Sequence, residues 1–166
     1  MARVLIISPH NDDAAIGCYL FLTGQLELGG VGVGSSEVAL LVDRSRGELR
    51  GNRYVEVVRF AQELGLELVF DSPEEEFDLV LAPSPESSHP LHKYWAWRAI
   101  DFKCKSLAYY SVDMREWWVR PLPLDCALKK REFLDKYFPA ESELWRFDAK
   151  YFLFEGYVVV GYRGWF

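Results

Sequence analysis

The side chains of this sequence best suited to acid–base or metal chemistry fall in two short segments. His10, Asp12 and Asp13 lie in Ser8-Pro9-His10-Asn11-Asp12-Asp13, and His89 and His92 bound His89-Pro90-Leu91-His92. The chain has only three histidines, and these are all of them. Two imidazoles and a carboxylate, with a fourth position left to water, are the ligand plan of a catalytic zinc site. His10, Asp13 and His92 fill that plan; the mixed nitrogen and oxygen set suits zinc best, with iron, cobalt or nickel as alternatives. Asp12, beside a ligand but pointing elsewhere, is placed to accept a proton from an attacking water. His89, three residues before His92, can donate to the oxyanion of a tetrahedral intermediate. A plainer reading competes. Asp is a favoured helix N-cap, acidic residues suit a helix N-terminus, and a lone histidine in a turn is commonly just hydrogen-bonded. The confinement of all three histidines to two turns favours the metal.

Those turns need elements to bring them together. Residues 3–8 form a short aliphatic run that reads as a buried parallel strand, followed by a helix over residues 13–28 with Ile16, Leu20, Phe21 and Leu28 on one face. The glycine-rich stretch 29–36 reads as a helix stop and connection, since it lacks the spacing and context of a dinucleotide loop. Further strands are expected at residues 37–42, 66–70, 77–82 and 106–112, with helices from Asn52 to Leu64 and after His89. This alternation predicts a single α/β domain over residues 1–166, a Rossmann-like parallel sheet of order 3-2-1-4-5 with strand one central. Both histidine turns then flank the crevice at the carboxyl ends of strands one and four, where such sheets bind ligands. In the last third, residues 117–120 read as a short strand and residues 124–137 as a helix, while 150–154 and 157–162 read as a C-terminal hairpin about Glu155-Gly156.

Composition bounds the partners. At 166 residues, half of them hydrophobic and with a net charge of −6, the chain is expected to fold as a soluble globular protein. Lys and Arg form no stripe, which argues against nucleic acid, and no apolar run reaches the ~20 residues of a membrane span. Cys18, Cys104 and Cys126 are odd in number and scattered, reading as reduced thiols of a cytoplasmic protein; Cys18 reads as packing rather than a nucleophile. The low Thr, Asn and Gln content leans towards a thermophile. The Trp-rich stretches read as core, with stacking on sugars as the alternative, and Trp165-Phe166, if exposed, would mark a homo-oligomer contact.

As a set, these segments resemble the LmbE/PIG-L superfamily of zinc-dependent N-deacetylases. Pro9-His10-Asn11-Asp12-Asp13 through Gly17-Cys18 resembles its P-H-P-D-D-E-x-x-x-G-C signature, and His89-Pro90-Leu91-His92 its H-P-D-H motif. Asp43 to Glu48 resembles its T-x-G-E loop, and Arg53-x-x-Glu56 with Ala61 and Leu64-Gly65 its R-x-x-E helix. The likeness covers residues 3–100 in order. It implies hydrolysis of an N-acyl group, usually acetyl, from a small-molecule amino sugar or glycoconjugate, with metal on His10, Asp13 and His92, Asp12 as base, His89 as electrostatic partner and Arg53 near the substrate. Read without the resemblance, Arg53 and Glu56 are equally a helix-surface ion pair. Asn11, Ala14 and Leu91 depart from the pattern, replacing a Pro, an acid and an Asp. They keep open a hydrolase of another small amide, or a metal- or ligand-binding homologue without catalysis.

Overall fold

The computed structural model describes residues 1–162; Trp165 and Phe166 lie outside the described residues. Its centre is a six-stranded sheet of β1 (Ala2–Ser8), β2 (Ser36–Val42), β3 (Glu67–Val69), β4 (Phe77–Pro83), β5 (Cys104–Tyr110) and a final strand, Tyr157–Tyr162. The order is β3-β2-β1-β4-β5 followed by that last strand, so the expected 3-2-1-4-5 arrangement holds. All pairings among the first five strands are parallel, and the last strand runs antiparallel to β5, with Ala108 opposite Val159.

Strand residues alternate between two cores, as a sheet covered on both faces requires. Val4, Ile6, Leu40, Leu79 and Leu81 point into one, and Leu5, Ile7, Leu41, Val80 and Leu107 into the other. The first core is roofed by α1 (Asp13–Gly17), α2 (Tyr19–Leu22), α3 (Asn52–Leu64) and, beyond α4 (Pro90–Arg98), by α5 (Leu124–Tyr137). The second is covered by α4 through Leu91, Trp95 and Ala96.

Three sequence expectations change. The helix expected over residues 13–28 breaks at Cys18, resumes for one turn and ends before Gly24, which sits at φ +76°. Leu28 is buried by bridging to Val31 rather than by continuing the helix. The turn at Glu155-Gly156 is present and the strand after it is antiparallel, but residues before it form α7 (Lys150–Leu153), preceded by α6 (Glu143–Phe147). Each arm pairs elsewhere: β7 (Phe154–Glu155) with β6 (Arg120–Pro121), and β8 (Tyr157–Tyr162) with β5. Of the aromatic run after His89, Trp95 and Phe102 are buried, whereas Tyr94 and Trp97 are exposed. No helix among the described residues is long and apolar enough to cross a membrane.

Candidate metal centre

The turn after β1 is shaped by Ser8. Its buried hydroxyl donates to the His10 carbonyl at 2.7 Å and accepts the Ala14 N–H at 3.0 Å. Ser8 therefore satisfies a first-turn amide of α1. Asp12, at the N-cap position, makes no side-chain capping bond, so the capping role weighed for it from sequence does not apply. Asp13 is likewise turned back, its Oδ2 accepting the His10 N–H at 2.8 Å.

β1 and β4 are neighbours, so the turn after β4 lies alongside. His92 enters on the first turn of α4 and is buried. Asp13 Oδ2 lies 3.0 Å from His10 Nδ1 and 3.0 Å from His92 Nε2, and the two nitrogens are 3.2 Å apart. A tetrahedral ion with bonds of 2.0–2.1 Å separates its ligand atoms by about 3.3 Å, close to the triangle found. Among the described residues, His10, Asp13 and His92 form a group able to hold a metal ion.

The outer nitrogens decide between an ion cage and an ordinary hydrogen-bond cluster. Ser87 Oγ donates to Asp113 Oδ2 at 2.9 Å, leaving its lone pair to accept from His92 Nδ1 at 2.9 Å. His10 Nε2 lies 3.3 Å from Glu48 Oε2. With the outer nitrogens donating, the inner ones present lone pairs, as second partners of metal-binding histidines do. Three lone pairs meeting within about 3 Å repel unless positive charge lies among them. The titration follows the same logic. Burial alone would lower His10, yet its hydrogen bond and attraction to Asp13 carry it up to about 9. Asp13, which burial would raise, is held far below the carboxylate range by His92 and His10. The residues present fit a divalent ion.

The remaining groups line one cavity of about 380 Å³. Asp12 is 6% exposed and uncapped, and burial, then the charges of Asp13 and Glu141, push it up to about 7. His89 is the N-cap of α4: its Nδ1 accepts the Leu91 N–H at 3.1 Å, which leaves Nε2 to carry the proton. Burial, then His10 and His92, lowers its pKa, so the ring is a neutral donor. Arg53 does not pair with Glu56. Its Nε meets Glu141 Oε1 at 2.6 Å in the cavity wall, while Glu56 accepts the Ala140 N–H at 2.9 Å. Asn11 is buried, with its Nδ2 unpartnered, and also lines the cavity.

Sequence reasoning missed Ser87, Asp113, and the wall supplied by Glu141, Leu144 and Tyr151. The one available signal was positional: Ser87 immediately precedes the second motif, and Asp113 follows β5 at the ligand-binding end of the sheet.

No protein-family model matches the chain, and no curated protein matches it. Among solved structures, a SAM-dependent methyltransferase from Aquifex aeolicus is 13% identical, covering 82% of this chain and 71% of that one, with a TM-score of 0.36. A likeness that remote carries no inference about activity.

Proposed function

We propose that the protein is a metal-dependent hydrolase, of the kind its sequence resembles in the LmbE/PIG-L superfamily, that removes an N-acyl group, chiefly acetyl, from an amino sugar or related glycoconjugate. The observation that carries this reading is the convergence of His10 Nδ1, Asp13 Oδ2 and His92 Nε2 beside the uncapped, buried carboxylate of Asp12. Zinc is the ion best suited to that set; when bound it supplies a Lewis acid that lowers the pKa of water to about 7. Asp12 takes the proton of the attacking water and passes it to the leaving amine. His89 Nε2–H donates to the oxygen on which charge develops. A cavity of about 380 Å³ lies within the range of small-molecule sites and suits a single sugar unit. The free thiols of Cys18 and Cys126 support a reducing, cytoplasmic setting.

One observation favours a binder without catalysis: Leu91 leaves His89 without a carboxylate partner, and its Nδ1 is occupied by the helix cap. Acetate release from N-acetylated amino sugars by zinc-loaded protein distinguishes the two. Wild type is expected to turn over, and Asp12→Asn to keep its zinc while losing about 10²-fold or more in kcat. A fully loaded wild type as silent as Asp12→Asn across such a panel overturns the hydrolase in favour of the binder.

A further inference from the structure

The ion-paired side chains of Arg53 and Glu141 line both the metal cavity and a neighbouring groove of about 500 Å³ that is also lined by Arg46, Glu48, Arg50 and Asn52. Its carboxylates are already engaged: Glu48 with His10, and Glu141 with Arg53. Arg46 and Arg50 are exposed, and among the described residues neither guanidinium has a hydrogen bond or ion pair. In a chain of net charge −6, the groove lining holds three arginines (46, 50 and 53) against Glu48 and Glu141, a local excess of one positive charge. Asp43, outside the groove, is held by Trp95 Nε1 at 2.8 Å and by Ser45, with a further through-space attraction from Arg46.

We propose that this groove is a subsite for a phosphoryl group carried by the substrate, held by Arg46 and Arg50. The inference rests on the amino-sugar reading above and narrows it to a phosphorylated N-acylamino sugar. Two unpaired guanidiniums match the charge of about −1.5 to −2 on a phosphomonoester at neutral pH. A single carboxylate would leave one of them unmatched. The planar guanidinium fork bonds phosphate in bidentate fashion, and the segment 43–53 uses arginine throughout, with no lysine. Because Arg53 and Glu141 line both spaces, the groove adjoins the metal cavity, the arrangement that a ligand reaching from one to the other requires.

Calorimetric titration of the zinc-loaded protein tests this without depending on turnover. The probes are N-acetylglucosamine, its 1- and 6-phosphates, N-acetylmuramic acid as a carboxylate sugar, and inorganic phosphate. One of the sugar phosphates is expected to bind about tenfold or more tightly than the unphosphorylated sugar, the size of one charged hydrogen bond. That advantage is expected to shrink with added salt and to vanish in the Arg46→Ala/Arg50→Ala double variant. No advantage, an advantage that survives the double substitution, or an equal gain by N-acetylmuramic acid each overturns the proposal. So does binding of inorganic phosphate with no gain for either sugar phosphate, which would mark an adventitious anion site only. A sugar phosphate bound through the two arginines yet never deacetylated supports the subsite and counts against the hydrolase.

Discussion

A histidine serves as a ligand only when something fixes which nitrogen carries the proton. Here that work falls to Ser87 and Asp113 behind His92, and to Glu48 behind His10. Removing a ligand and removing its support should therefore differ in degree. His92→Ala and Asp13→Asn are expected to abolish zinc binding, whereas Asp113→Asn and Ser87→Ala should weaken it by about 10–100-fold with the fold intact. Competition against a chelating indicator measures both; an Asp113→Asn protein with unaltered affinity would show that the serine–aspartate relay is only structural. The convergence of His10, Asp13 and His92 was legible in the sequence because the residues concerned sit within two short turns, at residues 10–13 and 89–92. The relay was not, since Asp113 reaches Ser87 across 26 residues and only the pairing of β4 with β5 brings them together. Arg53 was legible as a residue near the site but not in its partner: Glu141 comes from a part of the chain with no motif.

At the level of elements, helices with explicit stops were read to the residue. α3 ends where Gly65 takes φ +68°, and α5 begins after Pro123, whose ring suits a helix start. The helix expected over residues 13–28 failed because its apolar periodicity runs through the break at Cys18 and past Gly24 at φ +76°, and it also hides a packing constraint at Gly17. A Cβ there would lie 2.1 Å from Tyr110 Cδ2 and 2.8 Å from the Ser111 carbonyl, so α1 rests directly on the end of β5. Tyr110 cannot easily yield, since it is fully buried and its hydroxyl donates to the Ile7 carbonyl at 2.6 Å. Gly17→Ala is expected to destabilise the protein by about 1–3 kcal/mol through overpacking. Because α1 also carries Asp13, zinc affinity should fall together with the thermal midpoint. A Gly17→Ala protein with the wild-type midpoint would mean that the contact relaxes without cost.

Over the whole molecule, the last third does what the first hundred residues cannot: it closes the ligand-binding end of the sheet and walls the cavity with Glu141, Leu144 and Tyr151. Its attachment is polar and buried. Lys130 on α5 is fully buried, its Nζ donating to the Phe154 carbonyl at 3.1 Å and lying 3.1 Å from Glu155 Oε1, an ion pair set off the hydrogen-bond axis. Glu155 Oε2 in turn accepts the Leu20 N–H at 3.0 Å and the Tyr157 hydroxyl at 2.8 Å, so one carboxylate ties α5, α2 and β8. Burial holds the Lys130 amine below its ordinary pKa despite the attraction of Glu155. The folded state thus binds that proton less readily than the unfolded chain. From this group wild-type stability should rise with pH, from the folded pKa up to the unfolded value of about 10.4. Lys130→Met removes that slope and strands the carboxylate, a loss of about 3–5 kcal/mol at neutral pH. Because the wild type gains stability with pH over that range and the variant does not, the deficit of Lys130→Met should widen as pH rises from 7 to 9. Urea unfolding of both proteins at pH 5, 7 and 9 measures this; a deficit constant across the three would show that burial does not perturb the Lys130 amine and that the tie between α5 and the sheet is packing alone.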